Sequence, residues 1–171
     1  MMGQALRKVV WVLVPVALAT MAPGRALAAD YTVQTDLFYS VVTNLLSAAF
    51  LSPNLMLPNL SVEKAVKDNV GLRVDLLSSS DFKAQWLDLE TMWYPGRDDI
   101  RGLFVGGGLF GIRTRLGDYS AGLKAEVGCK WITRSGFTLG ACVAHYQTLA
   151  GTATTGSSMV TRPGLTFGWS W

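Results

Sequence analysis

The last nine residues, Pro163 to Trp171 (PGLTFGWSW), carry the pattern on which the rest of the chain is organised. Leu165, Phe167, Trp169 and Trp171 alternate with Gly164, Thr166, Gly168 and Ser170. Successive side chains of a strand point to opposite faces, so one face is large and apolar and the other small and polar. The alternation recurs upstream. Leu60, Val62 and Val66 alternate with Ser61, Glu63 and Ala65, with Lys64 interrupting the apolar set. Val70, Leu72, Val74 and Leu76 alternate with Gly71, Arg73 and Asp75; Leu87, Leu89 and Trp93 alternate with Asp88, Glu90 and Met92. The cleanest case sets Ala121, Leu123, Ala125, Val127, Cys129 and Trp131 against Gly122, Lys124, Glu126, Gly128 and Lys130. Phe137, Leu139, Ala141 and Val143 continue its apolar face after Thr133-Arg134-Ser135-Gly136.

Two segments read less clearly. Gly102 to Ile112 is apolar or glycine at both parities, so its strand register is weakly specified. Asp30 to Leu51 is rich in β-branched and aromatic residues, yet Asp36, Ser40, Asn44 and Ala48 fall at helical spacing. A strand over residues 37–50 is expected there. Turn composition marks 67–69, 94–99 and 133–136. Pairing Thr133 with Phe137 across a three-residue loop keeps both faces in register and gives Gly136 the left-handed position. The expectation is an all-β fold of about eight strands, a closed antiparallel up-and-down barrel.

Composition changes the picture at the N-terminus. Arg7 and Lys8, the apolar run Val9 to Met21, and Ala26-Leu27-Ala28 form the three parts of a secretory signal, expected over residues 1–28. The barrel domain is then 29–171. The apolar run has 13 residues, short of the roughly 20 that a spanning helix needs. The chain holds 15 Lys+Arg and 12 Asp+Glu, and Arg7, Lys8 and Arg25 lie in the signal, which leaves 12 bases against 12 acids. The basic pI therefore gives no support for a nucleic-acid partner.

Loop lengths and tryptophans indicate which solvent faces the apolar side. Counting back from a periplasmic C-terminus, the short turns fall at 67–69, 95–100 and 133–136. The longer connections, about 51–58, 78–82, 113–119 and 149–160, fall outside, as in bacterial outer-membrane barrels. Trp93, Trp131, Trp169 and Trp171 end downward strands on the apolar face and Phe137 begins an upward one, an aromatic girdle at one membrane interface. The opposite face collects Glu63, Arg73, Asp75, Asp88, Glu90, Lys124, Glu126, Lys130 and Arg162. Eight strands leave an interior just filled by side chains, so these charges are expected to pair with each other and leave no wide channel.

On the C-terminal strand, the girdle and Tyr94-Pro95-Gly96, the chain resembles the small eight-stranded bacterial outer-membrane β-barrel proteins, many of them of unassigned function. The resemblance implies localisation in the outer membrane of a Gram-negative cell envelope and contact with outer-membrane lipids. It also implies recognition of the C-terminal strand by the barrel assembly machinery. The implied role is structural, surface-exposed or binding, with the extracellular ligand unknown.

No residue is nominated as catalytic, cofactor-binding or metal-binding. His145 is the single histidine; some barrel enzymes that trim lipid A keep a Ser two residues after such a His, and here that position is Gln147. Ser157 and Ser158 have no evident orienting acid. One His and two separated Cys do not compose a zinc set. Gly106-Gly107-Gly108 lacks the Lys-Ser/Thr and helix of a phosphate loop, and serves close packing or a bend. The chain is thus expected not to be an enzyme. The alternatives are an outer-membrane lipid-modifying hydrolase, or a soluble periplasmic barrel that binds an apolar ligand.

Overall fold

A computed structural model describes residues 30–36, 59–79, 84–96, 100–114, 117–152 and 159–171. Eight strands form in these segments: β1 (Tyr31–Asp36), β2 (Leu60–Lys67), β3 (Val70–Ser78), β4 (Ala84–Trp93), β5 (Gly102–Thr114), β6 (Tyr119–Ile132), β7 (Phe137–Gly151) and β8 (Met159–Ser170). Each pairs antiparallel with the next, and β1 pairs with β8, so the sheet closes in sequence order. The expected fold class is the observed one. The described residues that join β2 to β3, β4 to β5 and β6 to β7 lie at one end, together with Asp30 and Trp171. We call this the turn end and its opposite the loop end. Residues 1–28 and 37–50, read as a signal and as the first strand, lie outside the described residues.

The wall between β8 and β2 is built by Tyr31–Asp36, a stretch that the sequence reading did not assign to a strand. Val33 pairs with Val62 on one side and Trp169 on the other, while Thr32, Gln34 and Asp36 point inward and are buried. These small polar residues suit the inner face, but they carry little of the apolar signal that drew attention to 37–50.

Elsewhere the alternation holds. Leu72, Val74, Leu87, Leu89, Leu123 and Val127 face out; Arg73, Asp75, Asp88, Glu90, Lys124 and Glu126 face in and are buried. β5 acquires its register from its neighbours: Phe104, Gly106, Gly108 and Phe110 face in, and Leu103, Val105 and Leu109 face out. Gly108 sits between Glu90 of β4 and Lys124 of β6, and Gly106 between Met92 and Glu126. Small inward residues there leave volume for long side chains to cross the interior.

The β6–β7 hairpin follows the expected loop. Thr133 N–H donates to Phe137 O at 2.8 Å, Gly136 N–H donates to Thr133 O at 3.0 Å, and Gly136 has φ 92°. This register sets Cys129 beside Ala141 on the outer face and Cys142 beside Gly128 on the inner face. The two thiols leave opposite sides of the sheet, and a disulfide needs Cβ vectors that meet. Both cysteines are free.

Two outcomes test this geometry. Mass spectrometry of the unreduced protein is expected to show both thiols unlinked; a 129–142 cross-linked peptide would contradict the register. A Cβ on Gly108 would run into the carbonyl oxygen of Leu89, whereas one on Gly107 would meet nothing nearer than Lys124 O at 3.8 Å. Gly108→Ala should cost about 1–3 kcal/mol of urea stability, the usual range for overpacking. Gly107→Ala should leave the midpoint nearly unchanged.

Candidate functional site

The interior is stacked in levels, and the charged residues read from the sequence occupy the middle ones. At the turn end, Tyr94 folds back under β4 into a cluster with Met92, Ile100 and Phe104. Its ring lies 5.8 Å from that of Phe104. Its hydroxyl donates to Glu63 Oε1 at 2.6 Å and accepts from Lys130 Nζ at 2.7 Å. Lys130 also pairs with Glu63 directly. Burial raises the Tyr94 phenol above its ordinary pKa, and the Glu63 carboxylate pushes it the same way, so the hydroxyl stays a donor. Beside it, Ser170 Oγ bonds to Thr32 Oγ1 at 2.7 Å and to Thr138 Oγ1 at 2.6 Å, linking β8 to β1 and β7.

Above this floor lies a layer of four carboxylates around two cations. Lys124 Nζ stands 3.2 Å from Asp75 Oδ2, 3.1 Å from Asp88 Oδ2, 2.5 Å from Glu90 Oε1 and 3.0 Å from Glu126 Oε2. The Arg73 guanidinium reaches Glu90 Oε2 at 3.0 Å and Glu126 Oε2 at 2.5 Å. Carboxylate oxygens of Asp75, Asp88 and Glu90 converge within 4.8 Å, a spacing that suits a metal ion. The Lys124 ammonium is within ion-pair distance of all three, so the chain supplies its own cation. A charge buried without such a partner is costly, which is why these residues occur as a set.

Toward the loop end the lining becomes aromatic. Trp86 and Phe110 each lie edge-on or tilted to Tyr146, with centroids 5.2 and 5.4 Å away. Arg162 places its guanidinium 5.6 Å from the Trp86 ring and 5.2 Å from that of Tyr146. Tyr146 Oη donates to Asp88 Oδ2 at 3.3 Å, and Trp86 Nε1 donates to Asp88 Oδ1. The aromatic cap is thereby tied to the charged layer beneath it.

All nine charged residues expected on the inner face do face the interior; eight are buried and Arg162 is half-buried. Sequence reasoning missed Asp36, a further buried acid, because a strand over 31–36 was not anticipated. It also missed the inward aromatics. Trp86 shares the parity of Asp88 and Glu90, and that signal would have found it.

His145 is on the outer face, where its Nδ1 lies 2.8 Å from Thr161 Oγ1. Gln147 shares that face, pairing with Leu123 and Met159. Ser157 and Ser158 lie outside the described residues. No helix among the described residues is long and apolar enough to cross a membrane, which leaves strands untouched. Comparison with protein-family models, with curated proteins and with solved structures finds no match to this chain.

The layer predicts its own sensitivity. Lys124→Met removes the one ammonium that all four carboxylates share and should cost about 3–5 kcal/mol, as expected when one partner of a buried ion pair is removed. Urea unfolding followed by tryptophan fluorescence measures this. Adding Glu90→Gln to Lys124→Met should recover part of the loss.

Proposed function

We propose that the chain is an outer-membrane β-barrel protein with no wide pore, acting in a structural, surface-exposed or binding role and not as an enzyme. One observation carries the reading: polarity is inverted relative to a water-soluble barrel. Among the described residues, 23 large apolar side chains are exposed, against eight apolar ones in the core. They are contiguous. Val62, Val74, Leu89, Leu109 and Leu123 are successive lateral partners across five strands. Leu103, Leu109 and Val127 are 65%, 59% and 55% exposed. Soluble monomers rarely show an apolar patch beyond a few hundred Å², whereas a lipid-facing band requires one.

The aromatic residues support the same orientation. Trp93, Trp131 and Phe137 are exposed on the outer face near the turn end, and Trp171 stacks on Tyr31 with centroids 6.0 Å apart. An indole combines an apolar body with a donor that seeks water or headgroups, so such a belt marks an interface. In this reading the turn end faces the periplasm and the loop end the exterior. β8, whose Phe167 and Trp169 complete the outer face, is the strand presented to the barrel assembly machinery.

The side-chain-filled interior argues for a structural, surface or binding role over transport. Ion pairs cross it at mid-height, and clusters containing aromatic residues line it above and below. The hydrolase alternative has less support, since His145 meets Thr161 on the outer face and Gln147 stands where the resemblance would want a nucleophile. The soluble-barrel alternative requires apolar residues inside, where the ionised layer sits.

Expression in a Gram-negative host should place the protein in the outer-membrane fraction, resistant to carbonate and shifted in gel mobility by heating. Release with the soluble periplasmic proteins would overturn the membrane reading. Leu109→Arg should cost about 2–4 kcal/mol in a bilayer if it lies near the midplane and lower the amount of assembled barrel. In a water-soluble barrel the same exposed substitution would be neutral.

A further inference from the structure

Four polar atoms at the edge of the charged layer make no hydrogen bond of good geometry within the protein: Ser61 Oγ, Arg73 Nε, Asp75 Oδ1 and Glu126 Oε1. Their residues are 3%, 5%, 8% and 5% exposed, so bulk solvent does not serve them. Arg73 Nε lies 3.4 Å from Asp75 Oδ2, an ion-pair distance that leaves its N–H without a hydrogen bond. Each unsatisfied buried group costs about 1–3 kcal/mol, and native proteins keep such groups few. Here four occur together.

All four residues line one interior cavity of about 20 Å³. Its origin is an asymmetry of side-chain size. The long charged side chains come from β3, β4 and β6, whereas Cys142 and Ala144 of β7 and Gly164 and Thr166 of β8 line the facing side. A cavity holds one water when it offers at least about 10–15 Å³ and two to four polar partners.

We propose that this cavity is a binding site for a single buried water molecule. The orphaned atoms comprise two donors, the Arg73 Nε–H and the Ser61 hydroxyl, and two acceptors, Asp75 Oδ1 and Glu126 Oε1. Water accepts two hydrogen bonds and donates two, so one molecule complements the whole set. A cation does not, because it offers nothing to the Arg73 N–H and would sit among Arg73, Lys124 and Arg162. An anion fails for the opposite reason, since Asp36, Asp75 and Glu126 line the same space. The bound water joins β2, through Ser61, to the layer held by β3 and β6. This inference is independent of whether lipid or water surrounds the barrel.

The test uses the folded native protein in detergent micelles. Water–protein NOE spectroscopy should give a cross-peak between the water resonance and the Arg73 Nε–H, and a crystal structure should show one density peak about 2.7–3.2 Å from all four atoms. Ser61→Val, which removes the hydroxyl and sets two methyls on Cβ, should abolish the cross-peak and lower the urea midpoint. An observable Arg73 Nε–H with no water cross-peak in the native protein would overturn the proposal. So would a density peak at about 2.3–2.6 Å from acceptors alone, the signature of a calcium-like ion. If Ser61→Val does not fold, the two measurements on the native protein still decide the matter.

Discussion

Everything in this barrel depends on neutralising ionised groups inside a closed ring of strands. Closure removes sheet edges, but it also creates an interior that side chains must fill and where charge is tolerated only in company. Lys124, Arg73 and four carboxylates meet that demand from three strands, β3, β4 and β6. Because the partners arrive from different strands, the ion pairs work only when the registers from β3 through β6 are correct. A slip by one residue turns every inward charge outward. The polar core therefore discriminates against misregistered closure more sharply than the outer apolar face, whose contacts are non-directional.

The outer and inner faces divide the work accordingly. The outer side chains decide which environment the sheet tolerates, and the inner ones decide which sheet forms. Inward glycines belong to the second task. Gly108 lies between Glu90 and Lys124 in the ladder, and its missing side chain lets their charged ends meet at 2.5 Å. The run of three glycines is thus one outward and two inward positions with separate roles.

The alternation of β3, β4, β6 and β8 made the face of each side chain legible in the sequence, because period two follows from strand geometry alone. The β6–β7 register was legible too, since Gly136 selects one loop type. Height was not legible. Alternation says that Lys124 and Asp88 share a face, but their meeting depends on stagger through an intervening strand. Tyr94 looked like part of a turn because proline and glycine follow it, yet its ring enters the barrel to bridge Glu63 and Lys130. β1 was overlooked for a related reason. Thr32, Gln34 and Asp36 are chosen by the polar inner face, and so lack the apolar weight by which a strand is ordinarily found.

The pairing of the last residue carries a consequence for connectivity. Trp171 N–H donates to Tyr31 O at 3.0 Å, and Trp171 O accepts from Tyr31 N–H at 3.0 Å. Residues 31 and 171 thus stand as neighbours across a ladder, much as residues on either side of a hairpin do. With respect to its wall the barrel is a ring that is opened between residues 171 and 31. A short linker from 171 to 30, with a new opening in one of the hairpin connections, would keep every lateral pair. Permuted orders of the same eight strands should therefore describe the same wall.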